Sequence, residues 1–176
     1  MSRALLEFLA SVVPEENIRQ QEPMSEHTTF RVGGPAEVFV TVDDREQLGK
    51  VIRYLNLTGW SHFLLGNGSN LLVGDKGYKG VVIRLGREFE NVKMEGSRLT
   101  CGAAVSLAKA ARTAMENGFS GLEFASGIPG SVGGGVRMNA GAYGGELGNL
   151  VESVLVMAKD GSLMEMDNET MEFGYR

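Results

Sequence analysis

The chain has 176 residues, enough for one domain or for two small lobes. Its 43% hydrophobic and 22% charged content is that of a globular chain. Seventeen Lys and Arg against 22 Asp and Glu leave a formal net charge of −5, with no basic cluster, which excludes a nonspecific nucleic-acid surface. The single cysteine, Cys101, excludes an internal disulfide and suits a reducing compartment. No stretch is apolar for long enough to span a membrane, so a cytoplasmic protein is expected.

The elements read as follows in chain order. Leu5, Leu6, Leu9 and Val12 recur at helical spacing until Pro14. Glu37 to Val42 is a strand, rich in β-branched and aromatic residues. Asp43 then reads as a helix cap with Glu46 closing a capping box. Leu48, Val51, Ile52 and Leu55 are the buried stripe of that helix and Gly59 is its stop. "HFLLG" and Gly80 to Leu85 are short buried strands, and this order suggests an α/β lobe with some parallel pairing.

After about Gly86 the character changes. "NVKMEGSRLTCGA" is a hairpin turning at Gly96-Ser97, with Cys101 in an apolar setting that favours an inert buried thiol. Ser106 to Asn117 is a helix closed by Gly118. "VESVLVMAKDGSLMEMD" is a second hairpin, with Asp160-Gly161 as a type I′ signal. The expected fold class is α+β in two lobes, residues 1–86 and 87–176.

Two glycine-rich loops stand out. Gly66-Asn67-Gly68-Ser69-Asn70 follows a short apolar strand and can turn consecutive N–H groups into one concavity for an anion such as a pyrophosphate. The alternative is a tight turn with Asx bonds. No Gly-Lys-Ser/Thr follows, which excludes a Walker A loop, and no helix opens as a dinucleotide fingerprint requires.

The second is "LEFASGIPGSVGGGVRMNAGAYGGE", Leu122 to Glu146. Pro129 fixes φ between Gly127 and Gly130, and Gly133, Gly134 and Gly135 remove side chains where a flat ligand could lie. The alternative is a small-residue helix packed closely on a sheet. Asn139 and Tyr143 bring polar and aromatic groups to the same region.

Together "HTTFRVGGPAEVFV", "LLGNGSNLLVGDKGYKGVVIRL", "GLEFASGIPGSVGGGVRMNAGAYGGE" and the final "FGYR" closely resemble the UDP-N-acetylenolpyruvoylglucosamine reductase (MurB) family of flavoenzymes, from about Thr28 to Arg176. Gly135 stands where that family commonly has alanine. The resemblance implies a two-lobed FAD-binding fold of the vanillyl-alcohol-oxidase (PCMH) type that holds noncovalent FAD. It makes Gly66, Asn67, Gly68, Ser69 and Asn70 the cradle of the FAD pyrophosphate. Ser126, Gly127, Ile128, Pro129, Gly130, Gly133 and Gly134 would wrap the diphosphate and flavin side, with Asn139 and Tyr143 near the cofactor. His27 and His62 are read as surface or structural residues.

The resemblance further implies NADPH as hydride donor and the enolpyruvyl ether of UDP-N-acetylglucosamine as substrate, reduced to UDP-N-acetylmuramate for peptidoglycan. Arg176 would polarise the substrate carboxylate and Tyr175 would line the substrate site. No metal is implied. The family's proton-donating serine lies in a C-terminal substrate domain beyond this motif, and that domain is expected to be absent from the 176 residues. Two other readings stay open: an FAD- or nucleotide-binding module without catalysis of its own, and another flavin oxidoreductase of the same fold.

Overall fold

The computed structural model describes residues 3–174. The chain divides into two compact units, Met1–Glu88 with Met157–Ser162, and Phe89–Val156 with Leu163–Arg176.

The first unit is built on a four-stranded sheet. Its order is β1 (Ile18–Pro23), β2 (Pro35–Val42), β4 (Tyr78–Leu85), β3 (His62–Leu65). The expected parallel pairing is present, since β2, β4 and β3 are parallel while β1 is antiparallel to β2. β1 has no hydrophobic signature: "IRQQEP" is an edge strand with most of its side chains in water, where pattern reading has nothing to detect.

Strand periodicity gives the sheet two different faces. Val38 and Val40 of β2 pair with Val81 and Ile83 of β4, and all four are fully buried. α1 (Arg3–Val12) packs on α2 (Arg45–Thr58), which lies against β2. The two helices bury Leu5, Leu9, Leu48, Val51, Ile52 and Leu55, so amphipathic periodicity found both helices correctly. Phe8 and Tyr54 stack between them with ring centroids 3.8 Å apart.

The cap of α2 falls one residue later than expected. Asp44 accepts from Gln47 N–H at 2.8 Å, and the Gln47 side chain accepts from Asp43 N–H at 2.8 Å. Gly59 ends the helix at φ 72, as expected.

The other face buries Met24, Ala36, Phe39, Leu65, Val73 and Val82 in one cluster. No helix covers it. The connection from β3 back to the start of β4, residues 66–77, and the segment before β2 take that place. Gly34 N–H donates to Gly74 C=O at 3.0 Å, and side chains at Gly34 and Gly77 would collide with the Asp75 and Pro35 carbonyls. Backbone lies directly on backbone there, which only glycine permits.

In the second unit the first hairpin is β5 (Val92–Glu95) and β6 (Arg98–Cys101), turning at Gly96 as expected. α3 (Leu107–Glu116) starts at Ser106, whose side chain accepts from Lys109 N–H. α4 (Val132–Arg137) follows, then the short pair β7 (Gly141–Ala142) and β8 (Gly145–Glu146). Leu107, Ala111, Ala125 and Leu147 form its core, with Phe124, Ile128, Val132 and Val136 packed against them.

The last pair is β9 (Ser153–Met157) with β10 (Leu163–Asp167). Its connection is not the expected two-residue type I′ turn. Ala158 N–H donates to Ser162 C=O at 2.8 Å, and only Gly161 has positive φ, at 81°. A type I′ turn needs positive φ at both central residues, and Asp160 does not supply it. The reason is docking: Arg53 and Asn56 of α2 donate to the Asp160 and Lys159 carbonyls, and Gly161 lies against Gly49.

Among the described residues no helix is long and apolar enough to cross a membrane, and no cluster of three metal-ligating side chains occurs.

Candidate functional site

In the first unit Gly66–Asn70 leaves the carboxyl end of parallel strand β3, the position at which open α/β sheets present loops to ligands. Gly68 is buried at φ 62, and a side chain there would run into the His27 carbonyl. Thr29 N–H donates to Gly68 C=O at 3.1 Å. The loop is thus fastened from below by the backbone of His27–Thr29.

Its upper side is open. The N–H groups of Asn67, Gly68 and Ser69 donate to no acceptor among the described residues, nor do the side chains of Asn67, Ser69 and Asn70. Consecutive unpartnered donors, no carboxylate within the loop and no room for a Cβ on its underside fit an anionic diphosphate. No Asx bond closes the loop, although Ser69 and Asn70 do form a turn.

The second loop behaves differently. Ser131 caps α4 and accepts from Gly134 N–H at 3.2 Å. Val132 N–H donates to Val105 C=O at 2.7 Å and Gly133 N–H to Ala103 C=O at 2.9 Å. The first turn of α4 is therefore bonded inside the protein. A Cβ on Gly133 would stand 2.8 Å from that of Ala103, and one on Gly135 would stand 2.8 Å from Leu147 Cδ1. These two glycines serve close helix packing.

Gly127 has open space around its α-carbon, and Gly134 meets only Ser131 Oγ at 3.2 Å. Ser126, Gly127, Pro129 and Gly134 are exposed. The exposed face of this loop is built from those four, while Ile128 packs into the core and Gly130 C=O accepts from Leu107 N–H at 2.9 Å.

Asn139 sits at φ 42 and is buried. Its Oδ1 accepts from Gly148 N–H at 2.8 Å and its Nδ2 donates to Gly174 C=O at 3.2 Å, so the side chain braces its own unit. Tyr143, at φ 53, is fully exposed and lines an open depression of about 360 Å³ with Gly121, Glu123, Phe124 and Gly145. Tyr175 and Arg176 lie outside the described residues.

Both histidines are engaged. His27 Nε2 is 2.8 Å from Glu22 Oε1, and His62 Nδ1 is 2.8 Å from Trp60 C=O. Burial pushes the Cys101 thiol up, against a weaker opposing pull from Lys109, which keeps it protonated and unreactive at neutral pH. The His27–Thr29 floor was missed by motif reading, which treated "HTTF" as a signature and not as a support. The clue was available in "HTTFRVGG", whose two glycines announce close backbone approach.

An α+β chain with an open row of backbone N–H groups after a parallel strand fits a nucleotide-cofactor domain. The chain belongs to the FAD binding domain family, whose profile matches residues 36–167. It is 42% identical over 168 residues to the UDP-N-acetylenolpyruvoylglucosamine reductase of Clostridioides difficile (strain 630), covering 96% of this chain and 55% of that protein. The enzyme of that name from Heliobacterium modesticaldum is 48% identical over 157 residues, 89% of this chain and 50% of its own length. The chain thus spans about half the length of the curated relatives it matches.

Among solved structures, the MurB of Thermus caldophilus superposes with a TM-score of 0.78 at 40% identity, covering 90% of this chain and 56% of its own. p-Cresol methylhydroxylase, 14% identical, superposes with a TM-score of 0.63 over 98% of this chain and 38% of its own. That likeness shows the fold, and it is the PCMH-type fold expected from the motifs. The resemblance to MurB read from the motifs is borne out as well.

Proposed function

We propose that this chain is the FAD-binding portion of an NADPH-dependent reductase that converts UDP-N-acetylglucosamine enolpyruvate to UDP-N-acetylmuramate in peptidoglycan precursor synthesis, in the cytoplasm. The observation that carries the reading is the open row of N–H donors at Asn67–Ser69, in a chain 42% and 48% identical to proteins of that activity.

Bound FAD supplies a two-electron carrier for hydride transfer. The chain's own residues hold it. Gly66–Asn70 grips the diphosphate through backbone N–H groups, with Ser69 and Asn70 side chains as further donors. Ser126, Gly127, Pro129 and Gly134 lie against the cofactor without side-chain bulk, and Ile128, Gly130 and Gly133 keep that wall rigid through their packing. Asn139 holds the 3-10 turn at Gly148 in place, and Tyr143 offers an aromatic face. The flavin is held noncovalently, since neither histidine lies in the two glycine-rich loops and burial keeps the Cys101 thiol from being activated. Arg176 would meet the substrate carboxylate with a bidentate fork that keeps its charge, beside Tyr175.

The first test is an absorbance spectrum of the purified chain before and after FAD. A structured flavin band that survives gel filtration, released by denaturation, is expected. Folded protein that takes up no FAD would contradict the assignment of these loops. The two other readings part on a further addition: with the remaining part of a full-length relative supplied in trans, bleaching of the flavin band by NADPH and its return with the enolpyruvyl sugar nucleotide belong to the reductase alone, while the chain by itself is expected to turn over weakly or not at all.

A further inference from the structure

We propose that His27 is a positioning residue for the cofactor's diphosphate, a role that rests on reading Gly66–Asn70 as the diphosphate loop. The imidazole is nearly enclosed, with 9% of its side chain exposed. It stacks on Phe39 with ring centroids 4.2 Å apart and planes inclined by 22°, and Phe39 is itself part of the core cluster. Its Nε2 donates to Glu22 Oε1 at 2.8 Å.

Glu22 is fixed in turn. Arg19 Nη1 donates to the same carboxylate oxygen at 2.7 Å. Burial raises the Glu22 pKa, yet the hydrogen bonds from His27 and Arg19 together bring it below the ordinary carboxylate range. The carboxylate is therefore charged at neutral pH and a strong acceptor for the imidazole.

The same residue meets the loop through its backbone. The His27 carbonyl occupies the place a Gly68 side chain would need, and Thr29 N–H holds Gly68 C=O. Thr28, buried between them, donates its hydroxyl to Val32 C=O at 3.0 Å. Gly68 thus rests on a floor whose position is set by a side chain anchored on Phe39 and Glu22. Moving that floor would shift the N–H groups of Asn67, Gly68 and Ser69, which are the donors proposed for the diphosphate.

FAD affinity of the purified chain, read by quenching of flavin fluorescence, tests this with H27A, H27Q, E22Q and the loop variant G68A. H27A is expected to bind FAD about tenfold more weakly, the scale of one lost hydrogen bond to a charged group, and H27Q, whose amide still reaches Glu22, within about threefold of the parent chain. A residue that only adds stability would lower the unfolding midpoint and leave the FAD affinity of the folded fraction alone. Folded H27A that binds FAD like the parent, while G68A does not, overturns the role of His27 and leaves the loop assignment standing. If G68A also binds like the parent, the loop assignment falls and the proposal with it. Should H27A fail to fold, E22Q decides, since it keeps the shape and removes the charge. About threefold weaker FAD binding is expected of it, and unchanged affinity overturns the proposal.

Discussion

Gly68 carries two constraints at once: a left-handed φ of 62° and a carbonyl where its Cβ would be. Alanine in that conformation costs about 1–2 kcal/mol before the collision is counted. G68A is therefore expected to lose at least that much stability in urea unfolding, together with FAD binding. Gly127 is the opposite case, with open space around it and no positive φ. G127A should leave the unliganded chain within about 0.5 kcal/mol of the parent, so any weakening of FAD affinity reports contact between this loop and the cofactor. Unchanged affinity in G127A would remove residue 127 from the site. Glu22 adds a pH dependence. Its folded-state pKa is lowered, so the folded chain holds that proton less tightly than the unfolded chain does. The stability it contributes is present above the ordinary carboxylate value of 4.5 and is lost as pH falls through the lower folded value. Urea midpoints measured from pH 7 to pH 3 should fall less steeply at the acid end for E22Q than for the parent, and parallel profiles would show that Glu22 does not drive that limb.

At the scale of elements, α2 and α4 make contrasting cases. Asp44, and not Asp43, caps α2, so D44A should cost about 1 kcal/mol in urea unfolding. An unchanged midpoint would show that the helix start is held by other bonds, such as Arg45 on Glu88. In α4 the two packing glycines differ in what they face. Gly133 meets Ala103, whose Cβ cannot turn away, while Gly135 meets the mobile ends of Leu147 and Leu107. G133A is expected to lose about 1–3 kcal/mol through overpacking. In G135A the helix-propensity gain of roughly 0.5–1 kcal/mol offsets the crowding and leaves it near neutral; equal losses in both variants would refute the distinction. These elements also show what sequence can carry. The 3.6-residue stripe of Leu48, Val51, Ile52 and Leu55 encodes burial directly, so α2 was legible. Its cap was legible only to within one residue, because adjacent Asp43 and Asp44 both precede plausible partners. α4 was legible only as the alternative of a small-residue helix, because three consecutive glycines lower helix propensity; they are tolerated because Ala103, Leu107 and Leu147 crowd that side. β1 was hidden because an edge strand of Arg, Gln and Glu has no apolar alternation. The glycine-rich loop Gly66–Asn70 was legible as a motif, but its floor was not, since His27, Thr29 and Gly68 meet across some forty residues of chain.

For the molecule as a whole, the charge balance turns the mode of FAD binding into a measurable quantity. The chain carries a formal charge of −5, and the FAD diphosphate is itself anionic, so their long-range interaction is repulsive. Gly66–Asn70 contains no Lys or Arg, and under the proposed assignment its attraction would come from backbone N–H groups close to the diphosphate. Salt screens the first effect over a Debye length that shrinks from about 10 Å at 0.1 M to about 3 Å at 1 M, and it barely touches the second. A diphosphate site built on lysine or arginine loses affinity as salt is added, because the attraction itself is screened. FAD affinity of this chain should therefore hold steady or rise slightly between 50 mM and 500 mM NaCl, a range over which the screening length shrinks about threefold. Binding at saturation should also protect the fold, since FAD at about 100 times its Kd adds roughly 2.7 kcal/mol. That increment should be equally insensitive to salt. A Kd that climbs steeply with NaCl, together with a thermal shift that collapses over the same range, would mean that a cation holds the diphosphate and that the open N–H row at Asn67–Ser69 is not its main partner.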